Sequence, residues 1–282
     1  MQQLKCGDRL LDLSEPQVMA IINATPDSFS DGGHYHRQGV LNLDAVLHQV
    51  ESSIKAGAAI IDVGGESTRP GADAVGVEAE LARVIPLVEA INKRFDIIVS
   101  LDTSSPEVMR EGAAAGAGLI NDVRALQREG AAQAAISSGL PVCLMHMQGS
   151  PGSMQNNPSY VSVMDEVKQF FKERIRQLQA LGMDTSSLLL DPGFGFGKKL
   201  EHNLQLLKYL SAFADFDLPI LVGMSRKSMF GDLMGRPVNE RLAGSLAAAL
   251  VAAQNGAKII RVHDVAETAD VLKLLRALSD VG

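Results

Sequence analysis

Short apolar runs that close on a polar residue recur eight times along this chain of 282 residues: Ile-Ile-Asn23, Ile-Ile-Asp62, Val-Ser-Leu-Asp102, Leu-Ile-Asn121-Asp122, Cys-Leu-Met-His146, Leu-Leu-Leu-Asp191, Leu-Val-Gly-Met-Ser225 and Ile-Arg261-Val-His263. Between them, apolar positions fall at helical spacing over 43–56, 77–93, 106–115, 130–137, 161–181, 201–212, 239–255 and 266–278. Brief apolar runs bounded by polar and turn residues read as buried strands, and their alternation with helices predicts a parallel sheet covered by helices. Eight such units are the number that closes a (β/α)8 TIM barrel, while an open doubly wound sheet is the competing arrangement. Gly57, Gly116, Gly139, Gly182 and Gly256 stand where helices should stop, and Pro106 suits a first helical turn. Residues 1–13, alternating about Gly7-Asp8, predict a short β-hairpin over the bottom of the barrel.

Composition narrows the class. Barrels of roughly 250 residues fold as one domain, so a single α/β domain over 1–282 is expected. With 26 Lys and Arg against 33 Asp and Glu the formal charge is -7. No basic tract runs along the chain as a nucleic-acid groove requires, so neither nucleic acid nor a membrane surface is expected as partner. Cys6 and Cys143 are far apart in sequence and Cys143 lies inside an apolar run, which suits inert thiols in a reducing compartment. The first residues lack the apolar core of a signal peptide and the Ala-rich stretch 242–253 is too short to span a bilayer, so a cytoplasmic location is expected.

In a closed parallel barrel the strand C-termini open onto one face, so polar residues distant in sequence converge on one cavity. The stretches 25–33 and 64–71, after the first two runs, are longer than a connection needs and suit mobile lids. Arg261 and His263, two apart on the last run, point to the same side and offer an anion site, with Asn23 on the neighbouring strand as an oxygen ligand for Mg2+. The stretch 193–198 is neither a phosphate loop nor a dinucleotide fingerprint, since Pro192 replaces the first glycine, Lys199 the Ser or Thr, and Lys198 the last glycine. His34 and His36 lack further ligands at zinc spacing, and His146, between Met145 and Met147, has no assigned role.

Five motifs, Asn23-Ala-Thr-Pro-Asp-Ser-Phe-Ser-Asp31, Asp62-Val-Gly-Gly-Glu-Ser-Thr-Arg-Pro70, Asp191-Pro-Gly-Phe-Gly-Phe-Gly-Lys198, Ser225-Arg-Lys-Ser228 and Arg261-Val-His-Asp264, resemble those of the bacterial dihydropteroate synthase family, in order and nearly end to end. The resemblance implies a cytosolic homodimer that uses Mg2+ to condense 6-hydroxymethyl-7,8-dihydropterin diphosphate with 4-aminobenzoate, giving 7,8-dihydropteroate and diphosphate. It places the pterin on Asp102, Asn121, Asp191 and Lys227, with Met145 and Phe194 as apolar walls. The mixture of carboxylates and an amide suits a pterin edge that carries both donors and acceptors. By the same resemblance Asn23, Arg261 and His263 take the diphosphate and its metal, and Ser225 and Arg69 take the aminobenzoate. Asp27, Asp31, Thr68 and Arg69 are then loop residues that close over the reacting centre, above Asp62 and beside Lys227.

Each residue also has a plainer reading. Asp and Asn at strand ends cap helices, loop Asp and Ser make turns, and a histidine in a strand is commonly a structural one. Two functional rivals share the pterin pocket: a methyltetrahydrofolate methyltransferase barrel, and a non-catalytic pterin-binding subunit. The pairing of Arg261-Val-His263 with Ser225-Arg-Lys227 favours loss of diphosphate over methyl transfer.

Overall fold

The computed structural model describes residues 3–24, 36–37, 40–66, 75–149, 152, 154 and 157–281. The N-terminal segment forms the predicted hairpin, β1 (Gln3–Cys6) against β2 (Arg9–Asp12), antiparallel about Gly7, which takes the left-handed conformation such a turn requires. β3 (Gln17–Asn23) follows, then a two-stranded pair of β4 (His36–Arg37) and β5 (Val40–Leu41). The remaining apolar runs become β6 (Ala58–Gly64), β7 (Ile98–Asp102), β8 (Leu119–Asp122), β9 (Val142–Met145), β10 (Leu188–Asp191), β11 (Ile220–Val222) and β12 (Ala257–Val262). All neighbours in the main sheet are parallel, and the order β10-β11-β12-β3-β6-β7-β8-β9 closes on itself through β9 and β10. A closed barrel, not the open sheet, is the architecture.

The helices are α1 (Leu43–Lys55), α2 (Val77–Arg94), α3 (Pro106–Ala114), α4 (Ala131–Ser138), α5 (Val163–Ala180), α6 (Leu200–Lys208), α7 (Ser228–Met234), α8 (Leu242–Gln254) and α9 (Val265–Ser279). Local chemistry sets their ends. Asn42 caps α1 by accepting from Ala45 N, and Ser162 caps α5 by accepting from Asp165 N. Two expectations are adjusted: 201–212 divides into α6 and a 3-10 segment (Leu210–Phe216), and 239–255 turns α-helical only from Leu242 after a 3-10 turn (Val238–Glu240). α7 lies outside every stretch of helical period.

Strand alternation sorts the core into two parts. Outward residues such as Val18, Ala20, Ile22, Ile61, Val63, Val99 and Leu101 pack with the helices in a continuous outer shell. Inward, each barrel strand contributes one residue to a lower ring: Met19, Ile60, Ile98, Leu119, Cys143, Leu189, Leu221 and Ile259. Leu4, Cys6, Leu11 and Leu13 from the hairpin segment join that ring, so the hairpin closes the bottom of the barrel with apolar side chains. Both cysteines are free and buried, and burial pushes the Cys6 thiol up to about 12 and Cys143 well above its ordinary range. Among the described residues no helix is long and apolar enough to cross a membrane.

Candidate active site

One step further along five of the eight strands, the inward positions change character. Above Ile60, Ile98, Leu119, Leu189 and Ile259 stand Asp62, Ser100, Asn121, Asp191 and Arg261, and above Cys143 stands Met145. The barrel is thus apolar at its bottom and, on five of its eight strands, polar two residues higher; Ile21, Met145 and Gly223 hold that position on β3, on β9 and just past β11.

Arg261 ties this polar layer together. Its Nε donates to Asp62 Oδ2 at 2.6 Å and one Nη to Asp102 Oδ2 at 2.6 Å, so a single guanidinium bridges β12 to β6 and β7. Asn121 Nδ2 donates to the same Asp62 oxygen at 3.2 Å. The other Asp62 oxygen and the Ser100 hydroxyl, on paired positions of β6 and β7, are buried with no hydrogen-bond partner among the described residues. Two carboxylates therefore share one cation. Burial, opposed by the Arg261 attraction and reinforced by Asp62, pushes the Asp102 carboxyl up to about 7. The two acids in turn hold Arg261 above its ordinary range against the cost of burial.

Asp191 closes β10 and is buried; its Oδ1 accepts the Gly193 amide at 2.7 Å. Burial raises its pKa, while Lys227 and the Gly193 amide pull it down. Lys227 extends from the start of α7, donates to the Phe194 carbonyl and lies 4.5 Å from the centre of the Phe196 ring. Burial lowers it to about 8, opposed by Asp191. Ser225 and His263 form a separate pair at the ends of β11 and β12: Ser225 Oγ accepts from His263 N at 3.2 Å and lies 3.0 Å from His263 Nδ1. Asn23 ends β3 opposite Gly64 in register.

Asp62, Asp102, Asn121 and Arg261 are thus joined by hydrogen bonds, Asp191 and Lys227 are coupled to them through charge, and Asn23, Met145, Ser225 and His263 close or follow strands at the same end of the barrel. Phe194 is placed otherwise: its ring is fully buried in the outer shell, and it meets Lys227 through its backbone carbonyl. The half-buried ring beside Lys227 belongs to Phe196. Asp27, Asp31, Thr68 and Arg69 lie outside the described residues. Asp122 takes the plainer role of a strand-end acid, since it points outward and accepts the Ser104 hydroxyl and the amides of Arg124 (2.8 Å) and Leu126 (2.7 Å).

Sequence reasoning missed three groups. Glu66 forms a two-pronged ion pair with Arg124 at 3.0 and 3.3 Å, linking the loop after β6 to the turn after β8. Glu80 on α2 is buried and accepts the Thr103 hydroxyl at 2.5 Å. Lys198 is buried against His146. An acid and a base far apart in sequence carry no local mark of their pairing; for Lys198 the one available signal was a lysine closing a glycine-rich stretch next to a histidine-ended strand.

The family profile described as pterin binding enzyme matches residues 19–263. A dihydropteroate synthase of Escherichia coli (strain K12) is 57% identical over 267 residues, covering 95% of this chain and 93% of that protein. Among solved structures, the Yersinia pestis dihydropteroate synthase in a sulfonamide drug complex matches with a TM-score of 0.94 at 52% identity, covering 99% of this chain and 100% of the other. The Xanthomonas albilineans dihydropteroate synthase with 4-aminobenzoic acid matches with a TM-score of 0.92 at 46% identity, covering 100% and 99%. On the barrel, the polar mouth and these likenesses over nearly the whole length, the chain belongs to the dihydropteroate synthase family of pterin-binding enzymes.

Proposed function

We propose that the mouth of the barrel condenses 6-hydroxymethyl-7,8-dihydropterin diphosphate with 4-aminobenzoate to give 7,8-dihydropteroate and diphosphate. The observation that carries this reading is the layer of Asp62, Asp102 and Asn121 around Arg261, with Asp191 and Lys227 beside it. It offers carboxylate acceptors, an amide with both functions, and one ammonium and one guanidinium donor at one end of the barrel, as a pterin edge with interleaved donors and acceptors needs. The free oxygen of Asp62 is one acceptor left for such a ligand.

The step is substitution at the pterin methylene. The carbon–oxygen bond breaks with its electron pair leaving on the diphosphate, the electron-rich reduced pterin stabilises the developing cation, and the arylamine nitrogen then forms the new carbon–nitrogen bond and loses a proton. Along this SN1-like path the chain's own groups hold the ring, stabilise charge and exclude water, and no serine or cysteine nucleophile is required. Asp102, Asn121, Asp191, Met145 and Lys227 bind the pterin; Asn23, Arg261 and His263 face the diphosphate; Ser225 and Arg69 take the aminobenzoate carboxylate. Asp27, Asp31, Thr68 and Arg69 close over the centre above Asp62.

Among the described residues no three His, Cys, Asp or Glu side chains form a metal cage. Mg2+ commonly takes only one or two protein oxygens and completes its shell with phosphate and water, so the amide oxygen of Asn23 at the end of β3 fits it. When bound with the substrate, Mg2+ would neutralise charge on the leaving diphosphate. We read the chain as a single domain working in the cytoplasm as a homodimer; exposed apolar side chains on consecutive elements, among them Leu233 on α7, Val251 on α8 and Leu274 and Leu278 on α9, support the last point. The reading is tested by incubating purified protein with each substrate alone and with both, plus Mg2+. Dihydropteroate and diphosphate should form in equal amounts only with both, and a sulfonamide should compete with 4-aminobenzoate. Diphosphate release without dihydropteroate, or pterin binding without turnover, would overturn it.

A further inference from the structure

Lys198 and His146 take no part in the chemistry above, yet both are buried directly behind it. Lys198 Nζ lies 2.9 Å from His146 Nδ1, 2.9 Å from the Gly193 carbonyl and 3.0 Å from the Phe196 carbonyl, with the His146 carbonyl at 3.3 Å. Burial pulls the Lys198 pKa well below its ordinary range, opposed by Asp191; as ammonium or as amine its N–H groups have these backbone carbonyls to donate to. Burial, with the Lys198 charge adding to it, pushes His146 down to about 2, which keeps the ring neutral beside the lysine. Burying an ammonium among neutral acceptors is costly, and a side chain that only filled space would do so more cheaply as Met or Leu.

What the cluster holds is the loop of residues 193–197. This loop lies against the backbone that follows β9: a Cβ on Gly193 would sit 1.9 Å from the His146 carbonyl oxygen, and one on Gly197 would sit 2.5 Å from that of Gln148. Asn203 Oδ1 accepts the Gly195 amide at 2.8 Å, and the Tyr160 hydroxyl donates to the Gly197 carbonyl at 2.8 Å. From the other side Lys227 takes the Phe194 carbonyl and covers the Phe196 ring. The Gly193 and Phe196 carbonyls thus take Lys198 behind the loop, and the Phe194 carbonyl between them takes Lys227 at the mouth.

We propose that Lys198 and His146 form a positioning pair that pins the Gly193 and Phe196 carbonyls, so that the opposite side of the loop presents the Phe194 carbonyl and the Phe196 ring to Lys227. The proposal rests on the dihydropteroate synthase reading for its consequence in turnover, but not for the clamp itself. Without the pin, the Phe196 carbonyl loses the Lys198 donor and the Gly193 carbonyl keeps only the Phe196 amide at 3.1 Å, so the loop shifts and Lys227 loses its seat.

The test uses the full chain with Lys198→Met, His146→Leu and His146→Asn, the last supplying a polar side-chain amide, acceptor and donor both, where the ring nitrogen stood. Two quantities are measured: kcat/KM for each substrate, and hydrogen–deuterium exchange of the amides in 193–197. Lys198→Met and His146→Leu should lose roughly a hundred-fold in kcat/KM, the scale of a displacement of about 1 Å in a catalytic group, and the Gly195 and Phe196 amides should exchange faster. His146→Asn should retain most of both. A folded Lys198→Met with wild-type kcat/KM and wild-type exchange overturns the proposal, as does an equal loss in His146→Asn and His146→Leu, which is what a packing role alone predicts. If Lys198→Met does not fold, the two His146 variants decide. Because exchange is read without turnover, a wild-type chain that makes no dihydropteroate would strike the proposed reaction and leave the clamp to be judged on the amides.

Discussion

Arg261 serves two carboxylates with one charge, and that shortage governs the residue-scale behaviour of the mouth. Asp62 is fully buried and Asp102 nearly so, and both reach the guanidinium at 2.6 Å. Arg261→Ala should therefore cost about 3–5 kcal/mol of stability, the usual scale for removing one member of a buried ion pair. The sign with pH follows from linkage. Asp102 already binds its proton more tightly when folded than its ordinary value of 3.8 allows, and losing the cation raises that affinity further. A raised carboxylate contributes stability at low pH and loses it as pH rises toward the folded value, so urea denaturation should find the variant's deficit larger at pH 8 than at pH 5. An equal deficit at both would make Arg261 a packing residue. Turnover gives the second test. In the proposed reaction Asp102 accepts best as a carboxylate, above about 7, and Lys227 keeps its charge only below about 8. The kcat/KM for the pterin substrate should follow a narrow bell with limbs near those values, and Lys227→Met should remove the alkaline limb. The identity of these groups was readable from the sequence, because each polar residue ends or interrupts an apolar run. Their pairing was not: which inward residues meet depends on strand order and stagger around the ring, and nothing local in Ile-Arg261-Val-His263 points to Asp62, which is 199 residues away.

At the scale of elements, the pattern of runs located every barrel strand, and the stretches of helical period located every helix but α7. That miss has a physical cause. α7 has seven residues, Gly231 among them, and two turns are too few for a 3.6-residue period to register. Its existence depends on tertiary contact, since a Cβ on Gly231 would lie 2.3 Å from the Arg241 guanidinium that packs there. Gly112 in α3 makes the same argument measurable. Helix propensity alone favours Ala over Gly by about 1 kcal/mol. Here, however, a Cβ would stand 2.6 Å from a Leu101 methyl, itself buried on β7 in the outer shell. Overpacking of that kind costs roughly 1–3 kcal/mol, so Gly112→Ala should destabilise the protein by denaturant midpoint despite the better helix former. A stabilised variant would mean that α3 can move off β7 freely. The glycine was visible in the sequence as a flaw in a helix; its use as a spacer between helix and strand required the packing.

Across the whole molecule, the barrel keeps its polar expense and its apolar support at opposite ends. Buried Asp62, Asp102, Asp191 and Arg261 are groups that folding would be better off without, and burial pushes the pKa of Asp102 and Asp191 up as a result. Beneath them the lower ring, one side chain from each strand, is sealed by Leu4, Cys6, Leu11 and Leu13 from the N-terminal segment. Two residues of strand separate these layers, about 6.6 Å along the strand direction. If the separation is as complete as the geometry makes it, stability and turnover can be changed independently. Leu13 is fully buried and belongs to the apolar cluster of the lower ring. Leu13→Ala should lower unfolding free energy by about 2–5 kcal/mol through lost burial and a cavity, while leaving kcat and both KM values at their wild-type level when assayed well below the melting temperature. Thermal melts and steady-state rates on one preparation decide the matter: a fall in kcat/KM alongside the melting temperature would show that the lower ring sets the spacing of the residues above it, and that the two ends of the barrel act as one unit.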